Sequence, residues 1–196
     1  RMMDDVIIVN VPDLVVSALT PSVSAVGPGE SFSITATTLN SGVSSAGTSR
    51  TYFYLSSDSV LDASDTLLDY DSINALGAGL SESGTTQVRI PTSQATGAYY
   101  VIAEADGQKA LSESNEANNT ESVQITVGTP DLTVSALTTN KTIYSAGEVV
   151  TISATTENVG TGGSAYSSTY FYLSTDSVWD AADVYLGYDS VNSLPA

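Results

Sequence analysis

One feature constrains this chain more than any other: a repeat with a single fixed offset. Pro12-Asp13-Leu14 and Val16-Ser17-Ala18-Leu19-Thr20 return as Pro130-Asp131-Leu132 and Val134-Ser135-Ala136-Leu137-Thr138. Gly29-Glu30 returns as Gly147-Glu148, and Asn40-x-Gly42 as Asn158-x-Gly160. Thr51-Tyr52-Phe53-Tyr54-Leu55-Ser56 returns as Thr169-Tyr170-Phe171-Tyr172-Leu173-Ser174. Every pair lies 118 residues apart (Pro12 to Pro130), without a gap, and about half of the paired positions from Pro12 to Leu76 are identical. That period is too long for a solenoid unit and suits a whole β-sandwich domain. The expected organisation is a complete repeat over 12–128 and the N-terminal half of a second over 129–196. Residues 1–11 are a leader or the last strand of a preceding repeat, because Val6-Ile7-Ile8-Val9 runs into Pro12-Asp13 much as Val123–Val127 runs into Pro130-Asp131.

Inside the full repeat, short β-branched and aromatic runs are separated by Gly, Pro, Ser and Asn clusters. They predict strands near 14–19, 32–38, 50–56, 67–73, 85–90, 98–105 and 120–127. Phe32, Ile34 and Ala36 alternate with Ser33, Thr35 and Thr37, the period-2 pattern of a sheet with one wet face. The same alternation sends Phe53 and Leu55 to the core and Tyr52 and Tyr54 to the outer face. Seven strands in one repeat read as an all-β, immunoglobulin-like antiparallel sandwich, in tandem, with the second copy incomplete. The one helical signal is a short turn over Ser59 to Asp65.

Composition narrows the function classes. The 22 acidic residues outnumber 5 basic ones, for a net charge of −17. Such a surface repels phosphate backbones and anionic headgroups, which disfavours nucleic acid and membrane insertion, and it attracts cations. With no His and no Cys, the chain cannot build Ser-His-Asp or Cys-His catalysis, Cys/His zinc sites or disulfides.

Several stretches together resemble CARDB, the cell adhesion related domain found in bacteria. They are Pro12-Asp13-Leu14, Gly29-Glu30 before a strand, Asn40-x-Gly42, Tyr54-Leu55-Ser56-x-Asp58 with its acidic continuation, Gly97-x-Tyr99-Tyr100, and Glu113-x-Asn115-Glu116-x-Asn118-Asn119. The resemblance covers the first repeat and the available part of the second. It implies an Ig-like sandwich in modular extracellular bacterial or archaeal proteins, acting as a spacer or adhesion module and sometimes appended to secreted enzymes. It carries over no catalytic residue.

The candidate chemistry lies in the acidic segment after the third strand. Asp58, Asp62 and Asp65 recur as Asp176, Asp180 and Asp183, whereas Asp69 gives way to Gly187. Carboxylates in a tight Ser-rich loop suit calcium, a hard cation that takes six to eight oxygens, so calcium is the expected cofactor. The alternative is a solvated turn with Asp58 capping it. A second acidic stretch, Glu104, Asp106, Glu113, Asn115, Glu116, Asn118 and Asn119, reads as structural, since Asn and Asp favour turns. Tyr52, Tyr54, Tyr99, Tyr100 and Trp179 could stack sugars, but strand tyrosines more often pack across strands.

The expected function is therefore a non-catalytic structural or adhesive module of an extracellular or cell-surface protein, stiffened by calcium. Its expected partners are neighbouring repeats, other copies of itself or a surface ligand. The alternatives are a carbohydrate- or substrate-targeting module of a secreted hydrolase and a self-assembling fibre subunit. In the latter, the open edges of 130–196 would take a strand such as 1–10 from another copy. A two-carboxylate glycosidase is disfavoured, because the aspartates sit in a repeated turn.

Overall fold

The computed structural model of the chain describes residues 10–196. The strand expected within residues 1–10 lies outside the described residues. All seven strands expected in the first repeat are present: β1 (Leu14–Pro21), β3 (Ser31–Asn40), β4 (Ser49–Ser56), β5 (Thr66–Ile73), β6 (Ser81–Arg89), β7 (Gly97–Glu104) and β8 (Thr120–Val127). The sequence reading missed β2 (Ala25–Val26), a two-residue strand too short to carry a pattern. Two antiparallel ladders follow, β9 (Leu132–Thr139) with β10 (Ile152–Asn158), and β11 (Ser167–Leu173) with β12 (Val184–Val191).

The first repeat is a two-sheet sandwich, with order β1-β3-β6 in one sheet and β2-β8-β7-β4-β5 in the other. Alternation sends Leu14, Phe32, Ile34, Phe53, Leu55, Val88, Val101, Ile125 and Val127 inward, where all are buried. A buried hydroxyl pair crosses this core: Thr38 of one sheet meets Thr51 of the other at 2.6 Å, and Thr156 meets Thr169 at 2.7 Å in the second repeat. Each hydroxyl can donate or accept, so the pair gives both oxygens a hydrogen-bond partner across the core. In the second repeat, positions matching that core are open. Leu14 is fully buried, whereas its counterpart Leu132 is 38% exposed and Val134 more so.

Ser59–Asp65 does not form the expected helical turn; it is a run of bends and one tight turn. Asp58 Oδ1 accepts the Val60 N–H at 2.8 Å, and Asp62 Oδ1 accepts the Ser64 N–H at 2.7 Å. An Asp side chain that captures the N–H two residues on offers the backbone an alternative to a helix, and here it wins.

The strand directions give the sandwich two poles. β1 and β8 both start at a proximal pole. β8 finishes at the distal pole beside β2, with which it pairs in parallel through Ala25–Thr126 and Val26–Val127. The chain therefore enters at one end of the domain and leaves at the other.

Candidate functional site

Three polar regions organise the molecule, and the first is a clasp at the proximal pole. Asn40 ends β3 fully buried and uses its whole amide. Its Oδ1 accepts the backbone N–H groups of Asp13 (3.2 Å) and Gly42 (3.1 Å), and its Nδ2 donates to the carbonyls of Ser44 (2.8 Å) and Leu76 (2.9 Å). Asn158 repeats this, accepting from Asp131 and Gly160 and donating to Gly162 and Pro195. The Gly of Asn-x-Gly is needed for clearance. A Cβ on Gly42 would lie 2.5 Å from Asp13 N and 2.6 Å from Pro12 C, so only glycine lets the incoming strand lie this close.

The β7–β8 connection closes the clasp from the other side. Glu113 accepts the Leu14 N–H and, at 3.2 Å, the Asn119 side-chain amide; Asn118 donates to the Asp13 carboxylate at 3.2 Å. Burial raises the Glu113 pKa above the usual glutamate value, with the charges of Glu116 and Asp106 adding to the effect. The sequence showed Asn40-x-Gly42 and Glu113…Asn119 as recurring or family-like patterns; it did not show that they grip the same incoming strand.

The acidic turn is the second region. Asp58, Asp62 and Asp65 stand at the distal end of β4, and Asp65 Oδ2 accepts the Asp62 N–H at 2.9 Å. Asp62 Oδ1 also accepts the Ser64 hydroxyl at 2.6 Å, and Ser64 holds the Asp62 pKa below its ordinary value. The second repeat copies the pattern through Asp176, Asp180 and Asp183. Each carboxylate thus spends one oxygen on its own turn. Among the described residues no three acidic side chains are gathered closely enough to hold a metal ion by themselves. The residues that meet the linker to the second repeat are others, given below.

The third region is the outer face of the five-stranded sheet. Tyr52 packs against Tyr54 (6.3 Å between centroids) and Tyr70 (5.7 Å), and Arg50 lies over Tyr70 at 4.2 Å. Gly107 lies against the Tyr52 ring, so this tyrosine is partly roofed. In the second repeat Tyr170, Tyr172, Tyr185 and Tyr188 form the same kind of cluster. Trp179, in place of Leu61, sits edge-on to Tyr172 at 5.9 Å and is 68% exposed. Tyr54 donates to Glu104 Oε2 at 3.2 Å. Burial, and then the Glu104 carboxylate, push its phenol up to about 12. An alkaline absorbance titration should therefore show Tyr54 ionising well after ordinary tyrosines. A phenol with a raised folded-state pKa stabilises the fold fully below its unfolded value. That contribution is lost as pH rises from about 10 to about 12. Tyr54→Phe should remove the late step and flatten the pH dependence in that window; an unchanged titration curve would refute the assignment.

Comparison with known proteins gives these features a context. No curated protein matches the chain. Among solved structures, the CARDB domain of the PF1109 protein of Pyrococcus furiosus, in complex with di-metal ions, is 22% identical. The match covers 61% of this chain and 96% of that one, at a TM-score of 0.47. A domain of a protein described as a cell surface protein, from Methanosarcina acetivorans, is also 22% identical, covering 60% and 92%, at 0.44. A β-glucosidase of Erythrobacter marinus is 11% identical over 59% of this chain but only 15% of its own, at 0.42. The sequence pattern of CARDB matches residues 11–123 and again 129–194, most of the chain and both repeats. This chain belongs to the CARDB family.

Proposed function

We propose that the chain is a non-catalytic spacer in an extracellular array, in which each repeat transmits direction to the next. The observation that carries this reading is the linker, in which one residue is bonded to the first repeat and the next to the second. Gly128 donates its N–H to Val26 of the first repeat at 3.0 Å. The very next carbonyl, that of Thr129, accepts from Thr161 (3.0 Å) and Gly162 (3.1 Å) of the second. A Cβ on Gly128 would overlap the Thr161 carbonyl, and one on Gly162 would overlap Gly128 itself. The two backbones are therefore in direct contact, and Pro130 follows at once. Such a linker cannot behave as a random coil.

The rest of the junction is an open cleft of about 770 Å³, with Val26, Glu30 and Phe32 on one side and Ser164, Leu194 and Pro195 on the other. Rigidity here comes from backbone hydrogen bonds and glycine contact, without a large apolar interface. An extracellular setting fits the family, and no helix among the described residues is long and apolar enough to cross a membrane.

The test is whether the repeats tumble together. Backbone ¹⁵N relaxation should give both repeats one anisotropic diffusion tensor. Gly162→Val, which drives a side chain into Gly128 and Thr129, should split it into two faster, more isotropic ones. Independent tumbling in the unaltered chain would end the spacer reading.

A further inference from the structure

The outer face of β11 and β12 departs from its counterpart on β4 and β5 in a consistent direction. Where the first repeat has Leu61, Leu67 and Arg50, the second has Trp179, Tyr185 and Ser168, and each change adds or uncovers aromatic surface. In the first repeat the Arg50 guanidinium covers the Tyr70 ring at 4.2 Å. Ser168 is too short to cover Tyr188 in the same way, and Tyr188 is 59% exposed against 41% for Tyr70. Tyr172 lies directly opposite Tyr185, whereas Tyr54 lies opposite Leu67. The result is an unbroken patch of rings. Centroids are 5.9 Å apart for Trp179 and Tyr172, 5.7 Å for Tyr172 and Tyr185, 6.2 Å for Tyr185 and Tyr170, and 5.8 Å for Tyr170 and Tyr188.

Cross-strand packing accounts for the two tyrosine pairs but not for the patch. Trp179 lies in the turn between the strands and stands exposed, so it forgoes most of the burial that usually places a tryptophan. Nor does the openness of the second repeat explain it. β12 matches β5, the outermost strand of its sheet, on the side of β4 away from β7. There the complete first repeat also leaves Leu67 and Tyr70 exposed, so this edge of the face is open in a closed sandwich too.

A groove of about 480 Å³ adjoins the rings, lined by Tyr170, Tyr172, Trp179, Ser174, Asp176 and Asp183. Asp176 Oδ1 and Asp183 Oδ2 hold their own turn, and the second oxygen of each carboxylate is outside those bonds. Accessible aromatic faces suit the flat C–H face of a pyranose ring, and carboxylate and hydroxyl oxygens suit the hydroxyls around its rim. The groove is open, which fits a chain lying along a face better than a protein anchor that needs complete desolvation. Residues 142–196 contain no Lys or Arg, so an acidic polymer would be repelled.

We propose that the outer face of β11–β12, centred on Trp179, Tyr172 and Tyr185, binds a neutral polysaccharide by stacking on its sugar rings. The matching face of the first repeat, with Leu61, Leu67 and the Arg50 cover, does not. One repeat of the array thus presents a binding face while the other spaces it. The site goes beyond the spacer reading and does not depend on it.

Trp179 is the only tryptophan of the chain, so its fluorescence reads the patch directly. The full chain is titrated with cellohexaose, chitohexaose, xylohexaose and mannohexaose, and with polygalacturonate as the acidic comparison. A saturable emission shift is expected with at least one neutral hexasaccharide and none with polygalacturonate. By isothermal titration with that hexasaccharide, Trp179→Ala should weaken binding about tenfold and Tyr185→Ala about fivefold. Ser168→Arg, which restores the first repeat's cover, should weaken it severalfold, and Tyr70→Ala should bind as the parent does. No response to any of the neutral hexasaccharides would overturn the proposal. So would equal binding of polygalacturonate, or binding that Tyr185→Ala and Ser168→Arg leave unchanged. An emission shift that follows protein concentration alone would overturn it by assigning the face to a second copy of the chain.

Discussion

Asn40→Ala should lower the unfolding free energy of the first repeat by about 3–4 kcal/mol, read from urea denaturation of the tyrosine signal. The side chain is small, so lost packing is a minor part. The larger part is that four backbone groups lose their partner in a place water does not reach freely: the N–H of Asp13 and of Gly42, and the carbonyls of Ser44 and Leu76. Each unpaired group alone costs about 1–3 kcal/mol, and partial relaxation keeps the sum below simple addition. Asn40→Asp separates the two halves of the role. It keeps both acceptor functions but turns an oxygen on the carbonyls of Ser44 and Leu76, so it should rescue little. A variant that unfolds at the parental urea concentration would show that the clasp is ornamental.

Gly42→Ala should cost about 2–3 kcal/mol, although alanine normally restricts the unfolded chain and stabilises. The added methyl meets backbone on the other side, Asp13 N and Pro12 C, and backbone pinned by Asn40 cannot step aside cheaply. Gly84→Ala is the control. Its Cβ would overlap only the Asp71 carboxylate, the free end of a flexible side chain that can rotate away. Gly84→Ala should therefore stay within about 1 kcal/mol of the parent. Equal losses in the two variants would mean that clearance at the incoming strand is not what fixes Gly42.

The difference between these two glycines also shows what a sequence can and cannot display. Strand positions and faces were legible because the hydrophobic period is local: Phe32, Ile34 and Ala36 announce their side of the sheet, and all three are buried. The repeat made Asn40-x-Gly42 visible as a pattern. Its meaning stayed hidden, because the partners of Asn40 lie at Asp13 and Leu76, joined only by the fold. The short helical turn expected over Ser59 to Asp65 is absent for the opposite reason. Its aspartates satisfy neighbours two residues away, the local competition that makes Asp a poor helix former. Glu113 and Asn118 looked like loop formers and are long-range tethers, to Leu14 and Asp13.

The opposite placement of the two poles has a mechanical consequence. Tension along an array pulls β1 and β2 toward the proximal end and β8 toward the distal end. The bonds tying β2 to β8, Thr126 N–H to Ser24 O at 2.9 Å and Gly128 N–H to Val26 O at 3.0 Å, lie across that pull. They are loaded together, in shear, so no bond can be peeled off ahead of the next. Sliding β8 out would also drag Ile125 and Val127 from the core. Two short residues at the edge of a sheet, Ala25 and Val26, thus stand where a stretched chain would first have to give.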